Sequence, residues 1–468
     1  MNPVSATTAP LTSLLISLAP APALAAPGDA KEAKAILMRG VGFDTVLGRG
    51  KVPAYAAYLQ SVLVAGGFAA GDIAIEPVGE TANLHLTWRG KGKGKGKGKG
   101  AAIALAGHMD VVEADPKDWV RDPFVATQDG GFIFGRGISD NKFDVSMIVA
   151  TLVALKSQSF QPGRDIHLFL SGDEETAGVT AELQARQAKA AGVAFLLNSD
   201  GGGGELDAAG KAVDYTLSAA EKTYADYQLT VTNPGGHSSR PTMPNALGQL
   251  AAATVKIDAY RFTPQINEIT RESLADTGRK MSGKVGAALL AFVANPADAV
   301  AIATLRAEPA LIGQIGTTCV PTQVSGGHAP NALPQKAVLT VNCRIFPGTS
   351  VESVRAELER VVADPAVAVK TGQEWVSTPA SPLRPDVVAA VGKAVAAAHP
   401  GIRPVPGMDA GASDSVYYRA LGIPSYGVSG LFMRSEDVFI HGLDERIPVA
   451  AIPPALVHWR TLITELAK

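Results

Sequence analysis

Several histidines and acids of this chain follow apolar runs at positions where a folded sheet gathers side chains. His108 and Asp110, in Gly107-His108-Met109-Asp110, follow AAIALAG at 101–107. In extended chain, residues two apart point to one side. Asp110 is therefore placed to orient the His108 ring and raise its basicity as a metal ligand. Asp140 closes the loop Gly135-Arg136-Gly137-Ile138-Ser139-Asp140, whose spacing fits neither a dinucleotide nor a nucleoside-triphosphate motif. Asp173, Glu174 and Glu175 follow FLSG. Three adjacent acids repel one another and need cations to offset them. Adjacent glutamates also allow one to bind metal while the other carries protons. Asp200 ends AFLLNSD and precedes four glycines, and His441 lies in Phe439-Ile440-His441-Gly442-Leu443-Asp444-Glu445-Arg446. Taken singly, each has an ordinary reading: a histidine at a strand end, a helix-capping aspartate, an acidic surface turn. Together, two imidazoles and three carboxylates suit two zinc ions, with one carboxylate bridging; manganese and cobalt fit the same donors.

Such residues need elements that carry distant segments to one edge. PAYAAYLQSVLVAG (53–66) predicts a helix, with Pro near its start and Gly at its end. NLHLTW (83–88) alternates as a strand, and 101–107 reads as a strand buried on both faces. A helix over 143–157, a strand over 165–172, a helix around 179–191 and a strand over 194–200 follow. This alternation predicts an α/β fold, a mixed, largely parallel sheet flanked by helices. Such sheets bind ligands at the carboxyl ends of their strands, where the acids and imidazoles fall.

The pattern changes near residue 223. YADYQLTVTN alternates as a half-exposed strand, followed by a helix after Pro244 and a mostly helical stretch over about 265–312. Strands around Cys319 and Cys343, a helix over 350–363 and a strand over 366–370 complete an inserted α+β domain. The α/β pattern returns near 380 with a helix over 385–398, a strand in IPSYGVSG and a closing helix near 453–467. The expected division is a catalytic domain over 26–222 and 379–468, interrupted by an insert over 223–378.

Composition narrows the partners. Of 468 residues, 46% are hydrophobic and 18% charged, which excludes wholesale disorder. Lys and Arg number 42 against 44 Asp and Glu, so the basic excess of a nucleic-acid binder is missing. Two cysteines exclude a disulfide scaffold and a thiolate zinc finger. Residues 11–25, LTSLLISLAPAPALA, read as an export signal cleaved after Ala23-Leu24-Ala25, although the first ten residues lack Lys and Arg. The stretch is too short and proline-interrupted to span a membrane, and no later segment qualifies. A signal peptide over 1–25 and a periplasmic or secreted protein are expected. Cys319 and Cys343 then either pair or stay as buried free thiols. The Gly-Lys repeat at 90–100 reads as a solvated hairpin tip.

In order, GHMD, GRGISDNK, GDEET, SD, GGHSSRP, NALP with NCR, and HGLDER resemble the aminoacylase/carboxypeptidase family of dizinc metallohydrolases. The resemblance runs from about residue 50 to the end of the chain. It implies a phosphorylase/hydrolase-like catalytic domain with a lid that mediates homodimerisation. It implies His108, Asp140, Glu175, Asp200 and His441 as metal ligands, with Asp140 bridging, Asp110 orienting His108 and Glu174 as general base. It further implies His237 as the lid histidine that stabilises the oxyanion, and Asn331 and Arg344 as the holders of the substrate carboxylate. The expected activity is an exopeptidase, a dipeptidase or carboxypeptidase, acting beside a free carboxylate. The alternative is an N-acyl-amino-acid deacylase using the same two zinc ions. A non-catalytic binder is disfavoured, because a binder needs no base beside its metals. His85, His167 and His399 read as surface or strand residues, and His458 as packing. His328, close before Asn331, is a lesser candidate to approach substrate.

Overall fold

A computed structural model describes residues 27–91, 101–372 and 375–468. The expected signal peptide and residues 92–100 of the Gly-Lys repeat lie outside the described residues. The chain builds one large mixed sheet flanked by helices and a second, four-stranded antiparallel sheet. The large sheet is parallel at its centre. Strand Ala102–His108 lies between Ile166–Ser171 and Val193–Asn198, parallel to both. All seven residues of Ala102–His108 are buried, as expected of a strand covered on both faces. Thr81–Trp88 and Ile73–Val78 extend one side as antiparallel strands. Ser425–Gly427 and Ala212–Glu221 continue the other side.

Helix Phe143–Ser157 is apolar nearly all round because it is buried nearly all round. Helix Pro27–Val41, ahead of the first predicted helix, packs against it. Asp144 sits in that interior. It accepts from Gly430 N and Trp459 Nε1 at 2.9 and 2.6 Å, and also from the Ser429 hydroxyl. Burial pushes its carboxyl up to about 6 against those bonds.

The second sheet is formed by strands Thr223–Thr232, Thr318–Gly326, Lys336–Ile345 and Val367–Thr371. Its buried face packs on helices Ala246–Ala259 and Val351–Val362, and alternating burial along Lys336–Ile345 marks the one-sided character read from the sequence. Cys319 and Cys343 lie directly opposite one another on neighbouring strands and form a disulfide. The stretch at 265–312 is helical as expected, but it does not stay with this sheet. Helix Glu268–Lys280 lies against strand Val405–Asp409 of the large sheet. Lys280 pairs with Asp214 at 2.6 Å, and Arg403 pairs with Glu272 at 3.1 Å. These contacts and the continuous run through Lys222 join the two sheets.

Candidate metal centre

Three neighbouring strands of the large sheet deliver most of the site. His108 is the last residue of its strand. Asp200 follows Val193–Asn198 by two residues, and Glu174 and Glu175 follow Ile166–Ser171 by three and four. Because these strands are adjacent and parallel, their carboxyl ends converge. Gly107 allows the approach: a Cβ there would fall 2.6 Å from both Asn141 Oδ1 and Ser199 Oγ.

Asp140 comes from the loop before helix Phe143–Ser157, and His441 from the loop after strand Phe432–Arg434. His108 Nε2 lies 2.8 Å from Asp140 Oδ1, and His441 Nε2 lies 3.2 Å from Asp140 Oδ2. One aspartate thus turns one oxygen to each imidazole. His441 Nε2 is also 3.0 Å from Glu175 Oε1. Ligand atoms of His108, Asp140 and Asp200 lie within 4.8 Å of one another, as do those of Asp140, Glu175 and His441. A third set, His108, Glu174 and Glu175, places Glu174 beside the first two.

His108 Nδ1 lies 3.1 Å from the Asp110 carbonyl, which only a protonated Nδ1 can satisfy, so Nε2 is free for a metal. Its own burial works against the charged ring. The hydrogen bonds to Asp110 and Asp140 overcome that and hold it well above its ordinary range. Asp110 has a second task. Its carboxylate accepts from the backbone N–H of Glu174 at 3.1 Å and of Glu175 at 3.0 Å, fixing the acidic turn. Asp173 turns away and accepts from Val179 N and Thr180 N at the start of helix Val179–Ala190. The three adjacent acids therefore do not all need cations; only two enter the site.

Burial, then the nearby Asp200 charge, pushes the Glu174 carboxyl well up, and burial with Asp140 does the same to Asp200. Hydrogen bonds to Asp140 and Glu175 raise His441 to about 10. The same histidines draw Asp140 below its ordinary value despite burial. Among the described residues, no donor reaches the side chains of Asp200 or Glu174. Asp140, Glu174, Glu175 and Asp200, four carboxylates around two imidazoles, leave an excess of negative charge that two divalent cations would neutralise. Oxygen and imidazole donors without thiolate fit that group.

Glu445, in HGLDER, has a role that its motif does not announce. It is buried and pairs with Arg136 at 2.8 Å. It accepts from Gly137 N and Ser139 N at 2.9 Å, from the Ser139 hydroxyl at 2.6 Å and from Asp140 N at 3.3 Å. It thus sets the Asp140 loop from the segment that carries His441. A small antiparallel sheet, with Arg446–Pro448 on Phe132–Phe134, brings it there.

His237, Asn331 and Arg344 fall elsewhere. Gly236–His237 pairs with Ala332–Leu333, and Ser238 N donates to the Asn331 carbonyl at 2.9 Å. His237 and Asn331 are therefore neighbours on one exposed ribbon of the insert. Ser239 N donates to His237 Nδ1 at 3.1 Å, which puts the proton of the neutral ring on Nε2. Arg344 lies over the Tyr224 ring and donates to the Ala410 carbonyl at 3.3 Å. Among the described residues, none of the three bonds to the acid–imidazole cluster. His328 is exposed. His85 and His167 stack on the large sheet, with ring nitrogens 2.9 Å apart. His458 is fully buried in the last helix, as its packing role requires.

A mixed α/β sheet with two imidazoles and four carboxylates at its carboxyl edge defines a metallohydrolase. Residues 104–465 match Peptidase family M20/M25/M40, and the chain belongs to that family. It is 28% identical over 361 residues to the N-fatty-acyl-amino acid synthase/hydrolase PM20D1 of Xenopus tropicalis, covering 74% of this chain and 69% of that protein. It is 26% identical over 359 residues to probable carboxypeptidase S-like 2 of Dictyostelium discoideum, covering 74% and 68%. Among solved structures, the M20 metallo-carboxypeptidase Sso-CP2 from Sulfolobus solfataricus aligns over 92% of this chain and 98% of its own, with a TM-score of 0.68 and 17% identity. Human carnosine dipeptidase 1 aligns over 94% and 97%, with 0.62 and 15%. These two structural likenesses establish the fold.

Proposed function

We propose that the chain is a dizinc exopeptidase that cleaves a peptide bond next to a free carboxylate. The observation that carries this is Asp140 standing between His108 and His441, with one oxygen toward each. His108, Asp140 and Asp200 would hold one cation, and Asp140, Glu175 and His441 the other. Bound cations supply a water acidic enough to attack at neutral pH and Lewis-acid polarisation of the carbonyl. Glu174, beside His108 and Glu175 and with its carboxyl pushed up by burial, takes a proton from the attacking water and returns it to the leaving amine. His237 Nε2–H donates to the developing oxyanion, and Asn331 and Arg344 hold the terminal carboxylate. Because the His237 ribbon makes no bond to the cluster, the insert acts as a lid that must bring it there, within one subunit or from a second.

Further features support the rest of the reading. Leu247 and Val255 of helix Ala246–Ala259 and Val324 of the edge strand Thr318–Gly326 are exposed beside one groove, which favours a homodimer through the insert. The Cys319–Cys343 disulfide and the apolar stretch at 11–25 support an exported protein.

A second reading is supported by the PM20D1 relative: N-acyl-amino-acid hydrolysis on the same centre. Purified protein assayed on dipeptides and N-acyl amino acids, with metal counted per subunit, separates the two. About two equivalents and cleavage of dipeptides are expected, with activity lost to a chelator and restored by zinc. Cleavage of acyl amino acids alone favours the second reading. Metal retention well below two equivalents overturns both.

A further inference from the structure

We infer that Glu221 and Arg419, which stand outside the metal centre, are positioning residues for Asp200. This rests on the two-metal reading above. Among the described residues the Asp200 carboxylate accepts from no donor, so its place is set through its backbone. Its N–H donates to Asn198 Oδ1 at 3.1 Å. Asn198 Nδ2 donates to Ser413 Oγ at 3.2 Å and to Ser415 Oγ at 3.1 Å. The Ser413 hydroxyl donates to Glu221 Oε1, and Glu221 Oε2 pairs with Arg419 Nη1 at 2.6 Å. Every hydrogen along this route points away from Asp200 and toward Glu221.

Direction is what the ion pair supplies. An ionised carboxylate only accepts, so Ser413 gives it the hydroxyl proton and keeps its lone pairs for Asn198. With its NH2 group held by two serines, the Asn198 amide presents its oxygen to the Asp200 N–H, and a flip would lose all three bonds. Burial pushes the Glu221 carboxyl above its ordinary value, and the Arg419 charge is the strongest influence against that. Arg419 is itself held, by Nε to Ser381 Oγ at 3.0 Å and by Nη2 to the Ser425 carbonyl at 2.9 Å. Ser425 pairs with Leu196 on the strand that ends at Asn198. Ser381 N donates to the Ala219 carbonyl at 2.8 Å, two residues before Glu221. Glu221, Arg419, Ser413 and Asn198 are all buried. A buried ion pair adds little net stability beside an apolar filling of the same volume; what it can fix is one arrangement. The arrangement fixed here is that of the strand end carrying Asp200.

Stepwise zinc binding to the full chain, measured by competition with a chromogenic chelator, tests this. Ser413→Ala cuts the route between Glu221 and Asn198 and leaves the ion pair in place. Arg419→Gln removes the charge that pins the carboxylate. Each should weaken one of the two equivalents about 10- to 100-fold, the usual cost of losing a partner that orients a ligand, and leave the other unchanged. Arg419→Lys, which keeps the charge but not the fork, should recover part of the loss. In an Asp200→Ala background, where the Asp200 equivalent is already impaired, Ser413→Ala should add no further loss. That cycle separates positioning from general loosening, which weakens both equivalents in either background. Equal weakening of both, no weakening of either, or a further loss in the Asp200→Ala background overturns the inference. Should Arg419→Gln fail to fold, Ser413→Ala and the cycle decide alone. Unmodified protein that holds well below two equivalents refutes the two-metal reading and the inference together. Two equivalents without selective loss in the variants refute the inference alone.

Discussion

The carboxyl edge of the large sheet and the His237 ribbon of the insert handle the same problem, placing an imidazole, in opposite ways. At the sheet edge His108 is buried, its Nδ1 is fixed by Asp110, and Asp110 is itself tied to the turn that carries Glu174 and Glu175. On the ribbon, His237 is exposed and held by Ser239, two residues away. The metal-binding groups are preorganised within one body, so no reorganisation is required of them when substrate arrives. In the proposed mechanism the oxyanion donor, His237, is delivered separately, and its contribution would depend on closure.

Glu174→Ala gives the largest expected effect. It should lower kcat by about 10³- to 10⁴-fold, since the loss of a general base costs roughly that much, while two metals remain bound. Near-normal turnover would remove Glu174 from the base role and leave the preorganised edge without its chemistry. His237→Ala should lower kcat by about 10²- to 10³-fold, as for other lost oxyanion donors, with metal content and melting temperature unchanged. A loss of metal in that variant would erase the distinction between the two regions.

Glu445→Gln tests how far preorganisation extends beyond the ligands. Metal affinity should fall about 10- to 100-fold, the usual cost of losing a partner that orients ligands, and competition with a chromogenic chelator would measure it. Unchanged affinity would mean that the Asp140 loop holds its shape without this carboxylate.

The smallest effect sharpens the comparison by showing burial without partners. His458 is as buried as His108, yet among the described residues neither ring nitrogen has a hydrogen-bond partner. Burial, reinforced by His399, pushes it down to about 3, whereas in the unfolded chain it titrates near 6.5. The neutral ring thus contributes full stability above about pH 6.5, and that contribution is lost as pH falls toward 3. His458→Leu should reduce the acid dependence of unfolding by close to one proton over that interval, as read from denaturant melts at several pH values. An unchanged slope would show that the ring gains a partner when it is protonated.

Much of this was legible in the sequence because apolar periodicity and strand-end chemistry are local signals. The helices at 143–157 and 385–398 have the predicted bounds, and His108, Glu174, Glu175 and Asp200 follow apolar runs that could be read without neighbours, whereas Asp140 and His441 lie on loops. What was missed depends on partners far away in sequence. Glu445 accepts from amides roughly 300 positions earlier, and no spacing rule announces that. Asp173 looks like its neighbours until the following helix claims it. The helical stretch at 265–312 was legible as helix, but its docking on the large sheet rests on ion pairs such as Arg403–Glu272, which a one-dimensional pattern does not encode.

The link between Glu445 and the Asp140 loop has a consequence for how the protein comes to life. Asp140, the proposed bridge, is shaped by a segment translated some three hundred codons after it, so a nascent chain carries most of the proposed ligands long before it could grip both cations. Catalytic competence arrives only when the final stretch docks, and loss of the chain from His441 onward would disarm the molecule while leaving all ten strands of the large sheet in the chain.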